Sequence, residues 1–282
     1  MSDHEPPSLP GDDRAMSPAG VVGWTLLVVL LFIQTIQLSG MVREGLANDL
    51  VNNQICFSFA FTVATAVMVR RYLPMHDVTD AVGARAVPWW LLGLGLLTGA
   101  LLQLPALWIG GLIETRWPLG AEETKRITEM MTFQSTRHRV AFALATALIG
   151  PLSEELFCRG VMFRALRRTW SPVLTVAMTT ASFAFLHLDW RYAINAAYCG
   201  VILGLVRLWT GSVWVSLAGH VAFNTVTTVA LLAGWVKAED TAPVSAAVGV
   251  GGAVALGLVM AVMARATREQ PLVRAAVEAD QA

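Results

Sequence analysis

Eight apolar runs dominate this sequence and leave little room for any fold that is not built in a membrane. A helix needs about 20 predominantly apolar residues to cross the hydrocarbon core. The runs lie near 19–40, 52–69, 89–113, 140–163, 172–188, 192–210, 212–236 and 243–264. Hydrophobic residues make up 55% of the 282-residue chain and charged residues 14%, too apolar a balance for a surface solvated by water. The expected fold is therefore all-α: a polytopic bundle of about eight transmembrane helices over 19–264, with tails over 1–18 and 265–282. Twenty Lys and Arg balance twenty Asp and Glu, so no basic field argues for nucleic acid. The partners to expect are the bilayer and a membrane-associated peptide or protein.

Local punctuation agrees with these boundaries. Ser171 followed by Pro172 reads as an N-cap with proline at N1, and Asp189 and Ser212 are caps for the next two helices. Pro151, inside the fourth run, cannot donate a hydrogen bond and frees the carbonyl of Ala147, so a bend is expected there. Between the third and fourth runs, residues 121–133 set Ile127, Met130 and Met131 against Glu122, Glu123, Lys125, Arg126 and Glu129, the pattern of an interfacial amphipathic helix. Trp89, Trp90, Trp190 and Trp235 fall near run ends, as an aromatic belt would. Cys56, Cys158 and Cys199 sit in apolar stretches without a CxxC spacing and read as small buried hydrophobes.

The first 18 residues hold Asp12, Asp13 and four prolines and lack a basic leader region, so the first apolar run is expected to stay as an anchor. Eight spans put both termini on one side of the membrane. That side carries eleven Lys and Arg against eight on the other, a bias toward cytoplasmic termini. The Ala- and Val-rich composition points toward a bacterial cell membrane.

Ionisable groups at membrane depth are costly, and each is a functional hypothesis by default. Three runs contain them: Glu154, Glu155 and Arg159 in the fourth, Phe183 and His187 in the fifth, and His220 and Asn224 in the seventh. Glu155 and Arg159 are i and i+4 with the acid first, the favourable order for an ion pair. Glu154 lies about 100° around the same helix and is the carboxylate left for proton chemistry. His220 and Asn224 also share one face, where both can point at a developing oxyanion. Phe183, one turn before His187, can pack against the imidazole.

These three motifs, EExxxR, FxxxH and HxxxN in that order, resemble those of the CPBP intramembrane proteases, the CAAX-processing and bacteriocin-immunity family. The resemblance spans roughly residues 140–230. It implies an endopeptidase in which Glu154 with His187 activates a water for attack on a peptide carbonyl, His220 and Asn224 stabilise the tetrahedral intermediate, and Arg159 holds the glutamates. A carboxylate in a low-dielectric cavity becomes a usable general base, and donors gain strength where bulk water is excluded.

The family is often described as metalloproteases, and Glu154, His187 and His220 would supply the three protein ligands of a catalytic zinc. Against this, no HExxH or HxxEH motif occurs, and an oxyanion role for His220 competes with ligation. The sequence leaves zinc open. Two other functions use the same residues: a catalytically silent immunity or binding protein on this fold, and a proton-coupled transporter. The transporter reading calls for inverted repeats, which are not evident.

Overall fold

The computed structural model describes residues 15–73, 78–133, 135–235 and 244–280, which form a helical bundle without strands among those residues. The N-terminal tail expected over 1–18 lies, for residues 1–14, outside the described residues. In chain order the helices are α1 (Pro18–Val42), α2 (Leu50–Tyr72), α3 (Val78–Ala81), α4 (Trp89–Arg116), α5 (Ala121–Met130), α6 (Thr136–Arg167), α7 (Pro172–Phe185), α8 (Trp190–Thr210), α9 (Val213–Leu232), α10 (Ala246–Arg268) and α11 (Pro271–Glu278).

Seven of these, α1, α2, α4, α6, α8, α9 and α10, are long and apolar enough to cross a membrane. The eighth expected span is the shorter α7, 14 residues long. At about 1.5 Å per residue it covers about 21 Å, against a hydrocarbon core of about 30 Å. Arg167, Arg168 and Trp170 lie just before its start and His187 just after its end. Leu188 follows with φ 59°, in the left-handed region. His187 is exposed.

Helix starts obey ordinary capping chemistry. Ser171 accepts from Leu174 N–H ahead of Pro172, Asp189 from Arg191 N–H, and Ser212 from Trp214 N–H. Ser171 and Ser212 thereby fix where two motif-bearing helices begin. The amphipathic segment forms α5 and ends at Met130, with Glu122, Lys125, Arg126 and Glu129 exposed and Ile127 and Met130 half-buried. Glu123 is tied at 2.6 Å to Arg191, which also pairs with Asp189 at 2.9 Å, so α5 is fastened to the start of α8. The three cysteines are free thiols and buried.

Packing divides into two cores. Val28, Phe61, Met68, Phe157, Met162 and Phe183 join α1, α2, α6 and α7; Leu91, Leu102, Val206, Val215, Met260 and Met263 join α4, α8, α9 and α10. Where α4 crosses α9, the backbones touch. A Cβ on Gly99 would collide with the Gly219 carbonyl, so only glycine fits. That contact fixes α9 one residue before His220.

The helix α6 is not uniformly α-helical. Two π-helical segments, Ala145–Ile149 and Leu156–Met162, flank the short α-helical stretch Gly150–Glu155. Such insertions concentrate at functional sites, and here they bracket the two glutamates.

Candidate active site

The local hydrogen bonding of α6 explains how neighbouring helices grip it. In the first π segment the Gly150 N–H goes to the Ala145 carbonyl, one residue further back than in an α-helix. The Thr146 carbonyl thereby loses its α-helical donor, and its π-helical donor would be residue 151, a proline without an N–H. Asn224 on α9 fills the place: its Nδ2 donates to the Thr146 oxygen at 3.0 Å. The carbonyl that takes a side-chain donor is Thr146, one residue before the Ala147 carbonyl expected to be freed by Pro151. In the second segment the Phe163 N–H reaches back to Cys158, and Arg207 Nε on α8 donates to the displaced Arg159 carbonyl at 2.9 Å.

Between the two segments the charges gather. Glu155 and Arg159 are both fully buried and joined at 2.8 Å from Nη1 to Oε1. A second Arg159 nitrogen donates to the Gly200 carbonyl at 3.2 Å, and its guanidinium lies over the Phe183 ring with Cζ 4.4 Å from the centroid. Removing two charges from water is costly, and a pair persists when its geometry is good and further hydrogen bonds complete it. Glu154, 8% exposed, is free of that pairing.

His220 stands between the two carboxylates. Its Nδ1 is 3.0 Å from Glu155 Oε1, within hydrogen-bond distance, and its Nε2 is 3.7 Å from Glu154 Oε2, beyond it. Because the Glu155 carboxylate only accepts, the proton on a neutral His220 belongs on Nδ1. The sequence reading had His220 beside Asn224 as an oxyanion donor and His187 beside Glu154. The imidazole next to Glu154 is instead His220. His187 makes its polar contact through Nδ1 with the Phe183 carbonyl at 2.9 Å. The Phe183 ring links the two histidines, 4.9 Å from His187 and 5.6 Å from His220 by centroids.

Glu154, His187 and His220 do not assemble as a ligand triad. Among the described residues no group of three His, Cys, Asp or Glu side chains is arranged to hold a metal ion.

A family model described as Rce1-like, type II CAAX prenyl endopeptidase Rce1-like, matches residues 136–226. That stretch is similar to the family. It covers about a third of the chain and includes all of α6 to α8 and the part of α9 with His220 and Asn224. Comparison with curated proteins and with solved structures gave no match. Sequence reasoning missed two participants, Arg207 and the Thr146 carbonyl. The signal for the second was Pro151, five residues on.

Proposed function

We propose that this chain is an intramembrane endopeptidase that hydrolyses a peptide bond in a membrane-associated peptide or protein, with Glu154 as general base. The observation that carries the reading is the position of His220, bonded to the buried Glu155–Arg159 pair on one side and facing Glu154 across 3.7 Å on the other. That separation suits a bridging water. The water donates one proton toward Glu154 Oε2 and the other toward the unprotonated Nε2 of His220. Glu154 takes its proton as the oxygen attacks the scissile carbonyl, then delivers it to the leaving amine, so the base is regenerated and one water is consumed. Glu155 stays ionised beside Arg159 and fixes the His220 tautomer.

Asn224 spends one amide hydrogen on Thr146 and has a second for the oxyanion. His187 keeps Nε2 as an acceptor at the open end of α7, where an extended substrate backbone can donate to it. The Lys and Arg bias supports cytoplasmic termini, and the Ala- and Val-rich composition supports a bacterial cell membrane.

The test is turnover of a membrane-anchored reporter peptide by purified protein in vesicles, wild type against Glu154→Gln. The expected result is product from the wild type and none from the variant at equal expression and melting temperature. Turnover by Glu154→Gln would remove the base; a wild-type protein that forms no product on any anchored peptide would leave a binding protein on this fold.

A further inference from the structure

A buried charge cluster outside the site lies where α11 meets α8 and the loop between α3 and α4. Arg207, fully buried, uses every face of its guanidinium: Nη1 and Nη2 reach the Asp280 carboxylate at 2.6 and 2.9 Å, Nε donates to the Arg159 carbonyl at 2.9 Å, and Cζ lies 4.9 Å from the Phe163 ring centroid. Asp280, 3% exposed, also accepts from Arg85 Nη1 at 2.6 Å. Arg85 donates to the Ala276 carbonyl as well, and its own carbonyl accepts from Ser212 at the start of α9. Gly83 lies against the guanidinium so closely that a Cβ there would strike Arg207 Nη2. Four pieces of chain are clamped round one side chain.

We infer that the 271–280 segment is a positioning element of the active site, with Asp280 acting through Arg207 to hold the π segment that carries Arg159. The Arg159 carbonyl has lost its α-helical donor, and a buried carbonyl without a partner is costly. A planar guanidinium is the group that can serve this carbonyl and a carboxylate at once. The connection then runs unbroken from Asp280 to Arg207, to the Arg159 backbone, through the Arg159 side chain to Glu155, and from Glu155 to His220. Neither Arg207 nor Asp280 touches the gap between Glu154 and His220, so both act through Arg159. The inference rests on the reading of Glu155 and Arg159 as the fixed half of the catalytic carboxylate pair.

The experiment uses the full chain with Cys56→Ala and Cys199→Ala, leaving Cys158, buried in the π segment itself, as its one thiol. Asp280→Asn, Asp280→Glu, Arg207→Lys and Glu154→Gln are compared for reporter kcat and KM and for the rate at which a small maleimide labels Cys158 well below the melting temperature. For Asp280→Asn the expected result is kcat lower by about 10- to 100-fold with KM nearly unchanged, the cost of a displacement of about 1 Å at a reacting group. Cys158 should label about tenfold faster as the segment opens locally. Asp280→Glu should recover part of both. Arg207→Lys keeps a charge for Asp280 but loses the Nε donor, and should behave like Asp280→Asn if that variant proves too unstable to purify. Unchanged kcat and unchanged Cys158 labelling in either folded variant would overturn the inference. Glu154→Gln should abolish turnover; if it stays active, the catalytic reading fails while the labelling of the Asp280 variants still decides the role of Asp280.

Discussion

Asn224 donates its side-chain amide to the Thr146 carbonyl at 3.0 Å, so α9 holds the first π segment of α6 by a specific bond as well as by packing. Asn224→Ala removes both that bond and the proposed oxyanion donor. Turnover should fall by about 10²- to 10³-fold, as for other losses of one such donor. The carbonyl left behind should cost about 1–3 kcal/mol of stability. Asn224→Asp sets an oxygen against an oxygen and should be less stable still. Kinetics and melting curves together test this: full turnover in the Ala variant would remove the oxyanion role, and an unchanged melting temperature would remove the tie.

The adjacent glutamates should fail differently. Glu155→Gln leaves Arg159 buried without a charged partner, and breaking such a pair by removing one member costs about 3–5 kcal/mol. That variant should lose yield and melting temperature as well as activity. Replacing Glu155 and Arg159 together by neutral residues should recover part of the stability and none of the cleavage. If Glu155→Gln melts like wild type, the carboxylate that anchors the site has been misassigned.

Acid sensitivity should come late. Burial works to raise the Asp280 carboxyl, but Arg207 and then Arg85 outweigh it and hold the group below the usual carboxylate range. Asp80 is lowered in the same way by Arg164 and Arg85. A carboxylate lowered on folding contributes stability that is complete above its unfolded value, about 3.9, and is lost as pH falls through the folded one. Melting temperature should therefore stay level between pH 7 and about 5 with respect to these groups and fall below about 4. Asp280→Asn, already without its charge, should show a smaller acid drop, and an equal drop would assign the effect elsewhere.

Helix α5 should lie along a membrane face. A cysteine at Arg126 is expected to label readily with a polar thiol reagent and one at Ile127 to be shielded, since the first is exposed and the second half-buried beneath it. Similar rates would make α5 a solvent-side loop helix. Breaking Glu123–Arg191 should matter little, because Glu123 is more than a third exposed and Arg191 keeps Asp189.

Much of this was legible in the sequence because it is local. The i,i+4 spacing of Glu155 and Arg159 foretold their bond, run lengths foretold the bundle, and Ser171, Asp189 and Ser212 cap the helices they precede. What the sequence could not convey lies across helices. His220 finds Glu155 over 65 positions and Arg207 finds Asp280 over 73, and neither spacing has a period to betray it. The span expected over 172–188 shortened to α7 because the chain turns at Leu188, in a backbone region that leucine's side chain gives no reason to expect. Residues 265–282, read as a tail, include the end of α10 and the helix α11, whose short apolar stripe of Val273 and Ala276 is too brief to register as a span.

The π segments also bear on how this chain tolerates changes in length. Each such segment amounts to one residue inserted into an α-helix. Deleting a single codon within 156–162 would let the backbone recover its α-helical register and withdraw the spare carbonyl from Arg207, while the residues beyond keep their faces because the wide turn had absorbed the extra residue. Arg164 would still face Asp80. Such a deletion outside the motif letters should therefore lower turnover through the lost Arg207 contact while leaving the rest of the bundle in place. For this helix, the count of residues is as much a part of the proposed active site as their identities.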